Sequence, residues 1–163
     1  MPDRSLTTEQ LLTMLAAAPP RLAALTDGLA SAQLHTPPAP GEWSANEVLA
    51  HMRSCADVWG NCIEMILAQD TPTIRAINPT TWIKQTDYPQ QKFHSSLQAF
   101  TQQRTNLLTV LEPLIPEAWS RKATITGAGK PLVRTVRFYA QWLATHERPH
   151  IKQIERIVKT LRG

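Results

Sequence analysis

Several things are scarce in this sequence of 163 residues, and each scarcity removes a class of protein. No uninterrupted apolar run approaches the roughly 20 residues of a membrane span, and the opening MPDRSLTTEQ has no apolar segment of the kind found in a signal peptide. Only two cysteines are present, and Cys55 and Cys62 fall seven apart in one helical pattern. At about 1.5 Å per residue that is about 10 Å along the axis, too far for a disulfide, so they read as small core residues. Charged side chains are 18% of the chain, against an average of about 25%. The net charge of +4, from 17 basic and 13 acidic residues, permits an anionic partner without requiring one. The expectation is a soluble, cytoplasmic protein, a single domain over residues 1–163. At this length roughly two thirds of the unfolded surface can enter one core without staples.

Alternating strand period is also nearly absent: beyond the brief KATIT nothing reads as a strand, and no repeat or low-complexity tract appears. The glycines of TGAGK lack the strand and helix that flank a phosphate-binding loop, and no serine or cysteine nucleophile pattern is present.

What the chain does have is helical period. Leu11, Leu12 and Leu15 open a first helix near Thr8, which APPRLAAL interrupts; Pro20 then starts a segment carrying Leu22, Leu25 and Leu29. Proline suits a first turn and not an interior one, so this arm is expected to be kinked or broken. After HTPPAPGEW, Ser44 and Glu47 fit a capping box and Trp43 and Val48 a hydrophobic staple, starting a helix that reaches about Ala68. Residues 69–89 are irregular, with a short turn at Pro79. FHSSLQAFTQQRTNLLTVL resumes a helix with Phe93, Leu97, Phe100, Leu107, Leu108 and Leu111 on its stripe. Residues 112–134 form a second long loop, and Thr135 caps a last helix to about Leu161. Four long helices without a sheet predict an all-α four-helix bundle, with long loops between helices 2 and 3 and between helices 3 and 4.

The last helix carries the chemistry. On a wheel at about 100° per residue, Tyr139, Leu143, His146, His150, Gln153, Ile157 and Leu161 gather on one side, and Arg137, Arg148, Lys152, Arg156 and Lys159 on the other. The second helix places His51 beside Val48, Cys55, Val58 and Cys62. Three inward histidines from two helices can hold one divalent cation at about 2.1 Å each and leave a coordination position open, provided the bundle brings those helices together. A histidine on an apolar face is more often a hydrogen-bonded core residue, and spacing alone does not choose.

PAPGEWSANEVLAHM, LQAFTQQRTNLLTVLEPLIPEAW and HERPHIKQIE, in that order, resemble the DinB-like superfamily of four-helix bundles. The resemblance implies a nickel or zinc ion on His51, His146 and His150, and a homodimer. Characterised relatives include transferases that use low-molecular-weight thiols, a maleylpyruvate isomerase and hydrolase-type members. One departure is Pro149, where relatives usually have a polar, often acidic, residue; a kink is expected between the two ligands.

The resulting expectation is a metal-dependent hydrolase or thiol transferase acting on a small molecule, with the rim of its pocket built from residues 69–89 and 112–134. The rivals are a non-catalytic metal- or ligand-binding bundle and nucleic-acid binding through Arg148, Lys152, Arg156 and Lys159. Two further residues are catalytic candidates. Glu147, toward a helix edge, could act as a general base. Arg104, which interrupts the stripe of the third helix, could snorkel to water, bind an anionic substrate or pair with a buried carboxylate. Glu47 is expected to cap rather than to orient His51, and His35 and His94 have no partner in the pattern.

Overall fold

The computed structural model of the protein describes residues 5–163. Its frame is four long helices: α1 (Thr8–Thr26), α3 (Ala45–Ala68), α5 (Phe93–Leu111) and α7 (Val136–Arg162). Short helices α2 (Ser31–Leu34), α4 (Pro79–Trp82) and α6 (Pro116–Trp119) lie in the connections. Helix α7 packs on both α1 and α3, and α5 closes the other side of each. The apolar stripes meet in one core that includes Leu11, Leu49, Met52, Phe93, Phe100 and Ile154, all fully buried. Among the described residues, no helix is long and apolar enough to cross a membrane.

The helix starts follow the local chemistry. Ser44 Oγ accepts from the Glu47 amide, and the Glu47 carboxylate accepts from the Ser44 amide, each at 3.1 Å, so Glu47 is spent on the cap as expected. Thr135 Oγ1 accepts from the Phe138 amide at 3.0 Å to open α7. At the other end of α3, the Arg121 guanidinium donates to the carbonyls of Leu67 and Gln69 at 2.9 and 2.7 Å, placing a cation on the negative end of the helix.

The long loops correct one expectation. Instead of being wholly irregular, they contain a three-stranded sheet in the order β1 (Thr73–Arg75), β2 (Lys122–Thr126), β3 (Leu132–Thr135). β1 and β2 are parallel, with Ile74 opposite Ile125; β2 and β3 are antiparallel. Ile74, Ala123 and Ile125 are buried, so β1 contributes one residue to the core, β2 two and β3 none, too few for a period to show. TGAGK is the turn of this β2–β3 hairpin. Gly127 has φ +86°, and a Cβ there would meet Arg75 Cγ at 3.3 Å. The segment before α5 is tied to α3 by side chains: Ser54 Oγ donates to the Pro79 carbonyl at 2.7 Å, Tyr88 donates its hydroxyl to Asp57, and Arg53 lies 3.6 Å over the Tyr88 ring.

Of the kink or break expected in α1, the break is not found. The helix continues unbroken through Pro19 and Pro20. Pro19 has no amide proton to give the Leu15 carbonyl four residues back. Arg104 takes that place: its Nη1 donates to the Leu15 carbonyl at 2.8 Å and to Glu147 Oε1 at 2.9 Å, and its Nη2 donates to Glu147 Oε2. The carbonyl freed by Pro20 belongs to Ala16 on the exposed face, where water can serve it. Arg104 therefore does not snorkel; only 2% of it is exposed, and it forms a two-pronged pair with a buried carboxylate. Glu147 likewise faces the core rather than a helix edge, and is 2% exposed. Burial pushes its carboxyl up, and Arg104 pulls it back.

Candidate metal centre between α3 and α7

The second turn of α3 and the middle of α7 bring three imidazoles together. The His51 ring centroid lies 5.4 Å from that of His146 and 4.8 Å from that of His150, and His146 and His150 are 4.6 Å apart. The condition left open by spacing is met, because the bundle juxtaposes the two helices. The rings are not core residues in the sense of the wheel, however. All three are half-buried, while the buried stripe of α7 centres on Ala140, Leu143, Ala144, Glu147, Ile154 and Val158, with Tyr139 and Ile157 buried on the histidines' side of it. The histidines sit on the flank of that stripe, where α7 meets α3.

A fourth donor joins them. Cys55 follows His51 by one turn, is 2% exposed, and holds its Sγ 3.6 Å from His51 Nε2. One donor atom each from His51, Cys55 and His146 lie within 4.8 Å of one another. His146 Nδ1 is buried and has no hydrogen-bond partner. His150 Nδ1 lies 3.1 Å from Gln153 Oε1, an arrangement in which Gln153 takes the Nδ1 proton and leaves Nε2 with its lone pair. The surroundings of His51, His146 and Cys55 favour their neutral forms. Burial lowers the His146 imidazole to about 4, helped by His150 and then His51. Burial also lowers His51, with His150 adding to it. Burial, with Glu147 assisting, raises the Cys55 thiol to about 12. Imidazole nitrogens converging from two helices, one of them buried without a partner, suit a divalent transition ion, since coordination needs the lone pair.

Aromatic rings wall the cluster. Trp43 lies 5.5 Å from His51, and Trp59 meets His146 edge-on at 5.0 Å with Trp142 behind it at 5.8 Å. Beside His150 a cleft of about 700 Å³ opens between α7, at Gln153, Arg156 and Thr160, and the turn at Pro38, Gly41, Glu42 and Trp43. The rim is thus built from the segment before α3 and not from residues 69–89 and 112–134. Those residues hold the sheet and, with α3, a separate cavity of about 500 Å³ lined by Val58, Met65, Ile74 and Trp82. Glu42, in the turn where no helical wheel applies, is the cleft's carboxylate. Arg148, Lys152, Arg156 and Lys159 are exposed, and Glu155 among them pairs with Arg21 at 2.9 Å and Lys159 at 3.5 Å.

The frame and the cluster together define a four-helix bundle with a histidine-rich centre between its second and last long helices. Residues 14–154 match the DinB superfamily, and the chain belongs to that superfamily. It is also similar to the solved structure of YfiT from Bacillus subtilis, described as a probable metal-dependent hydrolase with an unusual four-helix bundle topology. The TM-score is 0.73 at 21% identity, over 96% of this chain and 91% of that one. No curated protein matches the chain.

Proposed function

We propose that the protein is a metal-dependent enzyme of hydrolase or thiol-transferase type, acting on a small molecule in the cleft beside His150. The observation that carries this is the convergence of the His51, His146 and His150 rings, with a buried, unpartnered Nδ1 on His146. A divalent cation held there, zinc or nickel by donor type, supplies Lewis acidity toward a substrate oxygen or sulfur. Gln153 orients His150, the tryptophans exclude water from one side, and Arg156 and Glu42 at the cleft contact the substrate's polar groups. The description of YfiT as a probable metal-dependent hydrolase supports the reading at the level of the fold. A low-molecular-weight thiol is the co-substrate of the transferase form.

A second reading is a binding protein without catalysis. It is favoured by one observation: Glu47 and Glu147, the carboxylates next to the histidines in sequence, are occupied by the cap and by Arg104. The deciding measurement is elemental analysis of protein purified without a histidine tag, for the native chain and for His51→Ala, His146→Ala and His150→Ala. About one transition ion per chain is expected, lost in each variant with helical content kept. Unchanged metal content in all three variants would refute the site.

A further inference from the structure

We propose that Cys55 is a fourth protein ligand, so that the cation sits between one thiolate and the histidine nitrogens rather than among imidazoles alone, with a substrate entering as a fifth ligand; this rests on the metal-dependent reading above. Two donors on one tetrahedral zinc, with bonds of about 2.1 Å to nitrogen and about 2.3 Å to sulfur, are about 3.6 Å apart. His51 Nε2 and Cys55 Sγ stand at 3.6 Å. Donors sharing an ion with bonds of about 2.3 Å or less lie no more than about 4.6 Å from each other. The His51, Cys55 and His146 atoms fall within 4.8 Å, so a few tenths of an ångström of side-chain motion bring these three donors to one ion. Helix geometry makes the pairing with His51 a built one, because residues four apart share a face and both side chains are held by a buried helix. Cys62, two turns further on, lines the separate cavity and is outside the cluster.

Ligation replaces the S–H bond with a sulfur–metal bond and releases one proton to solvent, with no change in oxidation state. A thiolate makes the donor set softer, which favours zinc over harder divalent ions such as magnesium and manganese. It also lowers the net charge of the centre by one. The bland account of the same distance is a thiol–imidazole hydrogen bond with no role in metal binding.

Cobalt(II) added to metal-free, untagged protein separates the two, because only a thiolate ligand gives an intense sulfur-to-cobalt charge-transfer band in the near ultraviolet. The expected result is that band in the native chain and in Cys62→Ala. In Cys55→Ser and Cys55→Ala it should be absent, with cobalt affinity at least ~10-fold weaker, the low end of what losing even an outer partner of a ligand costs. Cobalt bound by the native chain without the band, or with the band kept in Cys55→Ser, overturns the assignment while leaving the histidine site standing. No cobalt uptake by the native chain refutes the metal reading itself. Because the native and Cys62→Ala spectra alone show whether a thiolate is bound, the test survives a Cys55 variant that fails to fold.

Discussion

Replacing Arg104 with methionine keeps the buried stem and removes the guanidinium that serves three elements at once. Glu147 would then be an uncompensated carboxylate in the core, a loss worth about 3–5 kcal/mol. The Leu15 carbonyl would lose its remaining donor, since Pro19 has no proton to give, at about 1–3 kcal/mol. The two losses share one side chain and do not simply add, so the expectation is about 4–6 kcal/mol, most of the stability of a typical domain. In a chain of this length that lowers Tm by roughly 10–20 °C. Urea denaturation should show the loss in the midpoint with the slope retained. Arg104→Met with Glu147→Leu should be more stable than Arg104→Met alone, because the stranded charge is gone. The sharper check is Pro19→Ala, which restores an amide to Leu15. The substitution changes helix sterics equally in both backgrounds, so any difference measures the shared carbonyl. It should stabilise Arg104→Met by about 1 kcal/mol more than it stabilises the native chain. Equal effects of Pro19→Ala in the two backgrounds, or an Arg104→Met loss under about 1 kcal/mol, would refute this account of how α1 tolerates its prolines.

Pro149 and the carbonyl donor site it leaves empty at Thr145 both lie on the exposed side of α7. Pro149→Ala should therefore raise stability by about 1–3 kcal/mol in calorimetry, with metal affinity changed less than about tenfold; no gain would mean the helix has already adapted. For metal-free protein, stability should decline as pH falls from 6.5 toward about 4, because the unfolded His146 takes its proton near 6.5 and the folded one only near 4. His146→Asn should flatten that part of a urea-midpoint profile; an unchanged slope would show that His146 titrates normally in the fold.

The boundaries of α3 and α7 were legible because each is marked twice, by an apolar period and by a cap, Ser44–Glu47 or Thr135, while α5, which starts without a side-chain cap, was legible from its apolar period. The sheet was not legible, since strands of three to five residues with two buried positions at most offer no period to read. Nor was the continuity of α1, which depends on a donor 89 residues away in sequence. The histidine cluster was legible as a pattern on two helices, but its depth was not. A wheel counts Glu147 as polar and so turns the apparent centre of α7 toward the histidines. In the fold Glu147 is core, because Arg104 pairs with it, and the true centre lies beneath it. Trp59 and Trp142 needed the two helices in place before their relation to the site could appear, whereas Gln153, three residues after His150, was already on the same side of the wheel.

The buried pair and the candidate centre are therefore one construction. At about 100° per residue, His146 and His150 lie about 100° and 60° from Glu147 on the same side of α7, with Gln153 about 120° round on that side; Pro149 and Arg156 lie about 160° and 180° from Glu147, and Arg148 about 100° round the other way, all three exposed. Once Arg104 fixes which way Glu147 points, the rotation of α7 is set, and the two histidines must face the flank where α3 presents His51 and Cys55. Arg104 is itself held by the Leu15 carbonyl that Pro19 leaves free. A proline in the first helix thus bears, through one arginine and one glutamate, on the aim of imidazoles in the last. This also explains how a proline at position 149, between the two histidines, can be accommodated: the face it disturbs is the solvent face, and the constraint that aims the ligands acts on the other.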